Sequence, residues 1–274
     1  MKKLFLMLFV LLTSVSLVSC GANEEEYTVT REEQFIVGME CNYAPFNWTE
    51  NTKTPYNYPI ANFEGKFADG YDVQIAKAIA TVLGKVLVIQ KLDWDALIPQ
   101  LESGKIDAII AGMSPTEERK QSVAFTESYY TSTHVILLPK TSSFANAKTL
   151  NDFSGARVVG QHGTIYDDLI PQLTGATHQT PLKTIPDILT AILSNKSDCT
   201  ILEKPVATGI VAGQPDLTFI ELEDGFEVSE EDIVVSVAVR LNETTLVSQI
   251  NEILFGISEN ARLALMEQAV NRAN

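Results

Sequence analysis

The chain has 274 residues, with 20 Lys and Arg against 35 Asp and Glu and a formal net charge of −15. That length holds one large domain or two small ones at about 100–200 residues each, and 45% apolar with only 20% charged residues is a globular composition. The acid surplus excludes phosphate-driven binding of nucleic acid and a basic membrane-surface patch, and three cysteines exclude a disulfide-dense scaffold.

Lys2 and Lys3 lead into an apolar run from Leu4 to Leu12, a basic n-region and short h-region that read as a signal peptide over 1–19. The run ends in Leu17-Val18-Ser19-Cys20, which resembles the bacterial lipobox: aliphatic and small residues, then the cysteine that receives lipid. The resemblance implies cleavage before Cys20 and anchoring of the mature chain to the membrane surface by fatty acyl chains such as palmitate, with no spanning segment. An ordinary signal peptide cut near a chance cysteine is the alternative. The polar, Glu-rich stretch that follows, 20–33, is expected to be a solvated tether. Cys41 and Cys199 are expected to be unpaired and partly buried, and His134, His162 and His178 show no metal-ligand spacing, so neither metal nor cofactor is expected.

From Gln34 onward, short apolar runs alternate with helical periodicity. Phe35–Val37 and Val86–Ile89 read as strands. Between them Val73, Ala76, Ile79, Ala80 and Leu83 mark a helix, with Asp72 at the N-cap and Gly84 at C′. A helix over 95–103 stops at Gly104, and a buried strand runs from Ile106 to Ala111. Such βαβ units predict an α/β fold with mostly parallel sheets. Ser103-Gly104-Lys105-Ile106-Asp107 and Ser194-Asn195-Lys196-Ser197-Asp198 form a weak repeat, each preceding an apolar strand. Two similar lobes account for it, as chance also would. Two long apolar stretches, 133–138 and 232–239, bracket the middle third. If both cross between lobes, lobe one is 34–130 plus 232–274, ending in helices near 243–255 and 258–271, and lobe two is 131–231. The polar 49–69 connection is expected to be a surface hairpin.

No Walker loop, GxGxxG, HExxH or GxSxG motif is present, and Gly163-Thr164 after Val158-Val159 is a faint phosphate-loop match. The chain reads as a binder rather than an enzyme. Beyond the 106–111 strand lies Gly112-Met113-Ser114-Pro115-Thr116-Glu117-Glu118-Arg119, where α/β sheets gather ligands. Gly112 admits a close approach to the backbone, Ser114 offers a hydroxyl, Thr116 caps the next helix, and Arg119 presents a planar fork to a carboxylate.

This turn and the following Phe125-Thr126-Glu127-Ser128-Tyr129-Tyr130 resemble the polar amino acid substrate-binding proteins of ABC transporters, the bacterial extracellular solute-binding family 3. So do Tyr43-Ala44-Pro45-Phe46, the 70–76 segment Gly-Tyr-Asp-Val-Gln-Ile-Ala, the 93–99 segment Asp-Trp-Asp-Ala-Leu-Ile-Pro, and Gly104-Lys105-Ile106-Asp107. The resemblance implies a periplasmic-binding-protein type II fold, two α/β lobes joined by two hinge strands and closing over an amino acid. It places the ligand's α-carboxylate on Arg119, helped by Gly112, Ser114 and Thr164. The α-ammonium falls to Glu203, where the family usually has Asp. It also sets Glu40 against the ligand side chain, with Tyr43 and Trp94 packed beside it. Two aromatics and a carboxylate suit a long cationic side chain of the arginine, lysine or histidine class. Glutamine binders also carry an acid there, so a polar uncharged ligand stays an alternative, and a cyclic-acid dehydratase-like enzyme is the alternative of another class. The expected partners are an L-amino acid and a membrane ABC permease, with the chain itself a monomer.

Overall fold

A computed structural model of the chain describes residues 29–273. The 1–19 segment, Cys20 and the tether up to residue 28 lie outside the described residues. The tether does not extend to residue 33. Arg31–Glu33 form a 3-10 turn closed by a Thr30–Glu33 capping box, and Arg31 grips Asp107 through two bonds of 3.0 and 2.7 Å. A guanidinium with a carboxylate in bidentate reach pins the chain there.

The first lobe begins with β1 (Gln34–Met39), whose side chains are buried beyond its first residue. A small antiparallel sheet follows from β2 (Asn42–Tyr43), β3 (Asn47–Glu50), β4 (Tyr58–Pro59) and β5 (Phe67–Asp69), in the order β2-β3-β5-β4. The 49–69 connection is therefore a hairpin of β3 and β5 with an added edge strand. A bridge from Ile60 to Ile89 ties it to the main sheet. Helix α1 (Tyr71–Val82) buries Val73, Ile75, Ala76, Ile79 and Ala80, the apolar face its periodicity predicts. Gly84 takes the C′ position at φ +66°, but Asp72 is not the cap: Gly70 is, and Asp72 is buried in the first turn. Strand β6 (Val86–Lys91), helix α2 (Leu97–Glu102), strand β7 (Ala108–Ile109), helix α3 (Glu117–Lys120) and strand β8 (Val123–Thr131) complete this part.

The chain then enters the second lobe through β9 (His134–Pro139), β10 (Arg157–Val158), α4 (Ile165–Asp168), β11 (Thr177–His178), α5 (Ile185–Leu193), β12 (Thr200–Glu203), α6 (Lys204–Gly213) and β13 (Leu217–Ile220). It returns as β14 (Val234–Arg240), α7 (Thr244–Phe255) and α8 (Glu259–Arg272). The apolar stretches 133–138 and 232–239 are not crossings. Strand β9 is the centre of the β12-β9-β13 sheet, and β14 lies between β7 and β8 in the other lobe. They are largely apolar because both faces are buried: in β9, Val135 and Leu137 pack into the large cluster that spans both lobes, while Ile136 and Leu138 pack into a second cluster on the opposite face. The crossings are the flanking segments, which run side by side through a bond from Ser132 N–H to the Ile233 carbonyl.

The sheets are mixed rather than mostly parallel. In the order β6-β1-β7-β14-β8, β1 is parallel to β6 and β7, whereas β14 is antiparallel to β7 and β8. The second lobe repeats this pattern: β10 is parallel to β11, a parallel Val158–Cys199 bridge leads to β12, and β9 is antiparallel to β12 and β13. The repeated pentapeptide occupies the same place in both. Gly104 and Asn195 adopt φ +75° and +58°, and the terminal Asp of each repeat faces the neighbouring strand. Asp107 accepts from Ile36 N–H at 2.9 Å and from Arg31, and Asp198 accepts from Arg157 N–H at 2.7 Å and from the Arg157 guanidinium. Each carboxylate thus splices the third strand of its sheet to the second, which is the physical content of the repeat.

Candidate functional site

A small, nearly filled pocket lies between the lobes, lined by Glu40, Tyr43, Trp94, Gly112, Ser114, Arg119, Gln161, Thr164, Ile165 and Tyr166. The lobe-one residues stand at carboxyl ends of strands, as α/β topology dictates. Glu40 follows β1, Tyr43 ends β2, and Gly112 to Ser114 follow β7. At Gly112, φ is +62° and an added Cβ would sit 3.2 Å from the Tyr43 ring, so neither conformation nor space admits a side chain cheaply. Thr116 caps α3, its Oγ1 accepting from Arg119 N–H at 3.3 Å, which places Arg119 in the first turn.

Arg119 is half-buried. It donates to the Ser114 carbonyl at 2.9 Å and, across the cleft, to the Gly163 carbonyl at 3.1 Å. Its guanidinium lies 5.1 Å from the Trp94 ring centroid, a cation–π contact, and Trp94 Nε1 donates to the same Gly163 carbonyl at 2.9 Å. Two of five guanidinium N–H donors are thereby used on carbonyls, with no carboxylate among those partners. Burial draws the Arg119 pKa downward.

From the other lobe, Gln161 donates from Nε2 to Glu40 Oε1 at 3.0 Å and to the Lys183 carbonyl at 3.0 Å. Thr164 caps the small α4 and donates its hydroxyl to the Gln161 carbonyl at 2.8 Å. Tyr43 donates its hydroxyl to Glu203. Four polar contacts (Glu40–Gln161, Tyr43–Glu203, Trp94–Gly163 and Arg119–Gly163) therefore join the lobes around the cavity, and the cleft is closed.

Both acids are held away from their ordinary state. Burial raises Glu40 to about 7, opposed by the Gln161 hydrogen bond and the Lys91 ammonium. That ammonium donates to the Glu40 carbonyl at 2.7 Å. Burial raises Glu203 to about 8, and its Oε1 is buried without a hydrogen-bond partner among the described residues.

Seven of the eight residues singled out in the sequence line this cavity. Glu203 does not; it stands behind Tyr43 at the end of β12, 2% exposed. Gln161, Ile165 and Tyr166 were not singled out. Gln161 is separated from Glu40 by 121 residues, and only its nearness to Gly163-Thr164 pointed to it. Cys41 and Cys199 are free and buried, and no metal-holding cluster of His, Cys, Asp or Glu occurs among the described residues. No helix among them is long and apolar enough to cross a membrane.

The model of the bacterial extracellular solute-binding proteins, family 3, matches residues 35–269. The arginine-binding extracellular protein ArtP of Bacillus subtilis is 28% identical over 272 residues, covering 98% of this chain and 97% of that protein. A probable histidine-binding protein of Campylobacter jejuni is 32% identical over 232 residues, covering 83% and 84%. Among solved structures, the amino acid ABC transporter substrate-binding protein AbpA of Streptococcus pneumoniae, bound to L-arginine, superposes with a TM-score of 0.75. It is 26% identical, and the match covers 88% of this chain and 96% of that one.

Proposed function

The chain belongs to the bacterial extracellular solute-binding proteins of family 3, with their two-lobe periplasmic-binding-protein type II fold, and from that premise we propose that it captures a cationic L-amino acid for an ABC importer. In this reading Arg119, with Gly112, Ser114 and Thr164, takes the α-carboxylate. Glu203 takes the α-ammonium beside Tyr43, and Glu40 takes the cationic side chain between Tyr43 and Trp94. The mature chain is held at the membrane by lipid on Cys20.

The observation that carries the reading is the charge inventory of the closed cleft and of Glu203, which stands at its wall behind Tyr43. Glu40 and Glu203 are buried and Arg119 is half-buried, and desolvation works against the charged form of each. One positive and two negative groups are matched by a ligand with two positive poles and one negative, which is the inventory of arginine or lysine. Such a ligand offsets a desolvation cost of several kcal/mol per buried ion by giving each a counter-charge. Closure then follows from differential binding. Arg119 and Glu40 stand on one lobe and Thr164 and Glu203 on the other, so only the closed form engages all four.

A thermal-shift and calorimetric screen of the mature protein against the amino acids, ornithine and citrulline tests this. A ligand at ~100 times its Kd adds about 2.7 kcal/mol of stability. Arginine or lysine should shift the melting curve strongly, and citrulline, the uncharged isostere of arginine, weakly. No shift with any amino acid refutes the reading. Equal shifts with citrulline and arginine refute the cationic preference and favour a polar uncharged ligand. Turnover of a cyclic acid without amino acid binding would favour the enzymatic alternative.

A further inference from the structure

Behind the cleft, a buried hydrogen-bond chain that starts at the lining residue Gly112 joins two loops of lobe one. Gly112 N–H donates to the Tyr129 hydroxyl at 3.1 Å, and that hydroxyl donates to Asp72 Oδ1 at 2.7 Å. Asn47 Nδ2 donates to Asp72 Oδ2 at 2.7 Å, and Asn47 Oδ1 accepts from Cys41 N–H at 2.7 Å. Asn47, Asp72 and Tyr129 are completely buried. Both ends of the chain are backbone amides in left-handed conformation, Gly112 at φ +62° and Cys41 at +53°. One end adjoins Ser114, and the other adjoins Glu40 and Tyr43.

The donors and acceptors run in one order. Each amide donates inward, Tyr129 and Asn47 each accept on one side and donate on the other, and the two paths meet on a group that only accepts. A carboxylate meets that requirement, whereas an apolar residue or a carboxamide does not. The first turn of α1 favours a negative charge there. A fully buried carboxylate is costly without such partners, and an apolar residue would fill the same space without that cost.

We propose that Asp72 is a positioning residue for the amino acid site: by accepting from Tyr129 and Asn47 it holds the Gly112–Ser114 and Glu40–Tyr43 segments in register with each other. The spacing between the pole that receives the ligand carboxylate and the pole that receives its side chain is set through this acid, which touches neither. The inference rests on the proposed amino acid site.

Tyr129→Phe keeps the ring that packs on Tyr71 and removes only the hydroxyl. It should raise the Kd for arginine and for lysine alike, by about tenfold, because Gly112 N–H loses a buried acceptor. Asp72→Asn sets a donor against Tyr129 or Asn47. A flipped Asn47 would turn its own NH2 toward Cys41 N–H, and an amide NH2 turned toward Tyr129 leaves the Tyr129 O–H without its acceptor, so a buried donor loses its partner in every arrangement. The Cys41 and Gly112 amide resonances in ¹H–¹⁵N spectra of the ligand-free protein should therefore both move in Asp72→Asn. If that variant does not fold, the same pair of amides in Tyr129→Phe decides. A merely structural role lowers the melting temperature while leaving Kd unchanged, and that result overturns the proposal. So does movement of the Gly112 amide with Cys41 unchanged. Wild-type protein that binds no amino acid overturns the proposed function and this inference with it; wild type that binds while Tyr129→Phe binds equally well overturns this inference alone.

Discussion

Glu40→Gln separates charge from shape at the proposed specificity position. Glu40 Oε1 already accepts from Gln161, and the Lys91 ammonium holds the Glu40 carbonyl. A glutamine keeps its oxygen on Gln161 and turns an NH2 toward the ligand in place of the second carboxylate oxygen. A guanidinium or ammonium then loses a charge-assisted bond and meets a donor, about 1–3 kcal/mol, or roughly 10–100-fold weaker binding. Citrulline and glutamine carry a side-chain oxygen that can accept from the new NH2, so their affinities should hold or improve. Stability should move the other way. Glu40 is raised to about 7 by burial, so its neutral form is favoured by folding. The unfolded chain ionises near the ordinary 4.5, and the stability present below that pH is lost as pH rises through 7, on the order of 3 kcal/mol in all. Glutamine does not titrate. Ligand-free Glu40→Gln should therefore melt with wild type at pH 4 and progressively above it from pH 5 to 8. Calorimetric titration with arginine, lysine, citrulline and glutamine at pH 7.5, with melting curves across that range, reads both effects. Equal loss of arginine and glutamine binding refutes the assignment of Glu40 to the ligand side chain. A constant offset in melting temperature at every pH refutes the burial argument.

Arg119→Ala should weaken every amino acid by about a hundredfold or more, since a buried Arg–carboxylate pair loses one partner. The ligand-free melting temperature should not fall correspondingly, because the arginine is itself desolvated; calorimetry and thermal melts on one sample read the two together. Asp107→Ala and Asp198→Ala should each remove about 2–4 kcal/mol of stability in urea titrations, through an orphaned strand N–H and an unpaired arginine. A large loss in one and none in the other would dissolve the equivalence of the two lobes' third strands.

Features set by neighbouring residues are legible in the sequence. The apolar stripe of α1 and its stop at Gly84, the two C-terminal helices and the Thr116 cap before Arg119 all depend on residues within one or two turns. The misreadings share a cause. The 133–138 and 232–239 runs signal burial on two faces, and a sequence does not say whether two buried faces mean a crossing or the middle of a sheet. Asp72 sits where a cap is plausible. That it is instead a buried acceptor depends on Tyr129, 57 residues away. Gln161 had no local signature beyond its neighbours, and its contact with Glu40 exists only because the lobes close.

The sequence by itself determined the class of fold and the inventory of charges and hydroxyls at the strand ends. Hydrophobic period, capping residues and strand-end motifs are short-range properties carried by consecutive side chains. Tertiary structure decided which charges stand unpaired and which are spoken for. Glu203 lies behind Tyr43, Arg119 rests on the Gly163 carbonyl, and Asp72 ties together the loops that carry Glu40 and Gly112. Burial and partners set the cost of a charge, and both depend on residues far apart in the chain that meet only when the two lobes have packed and closed.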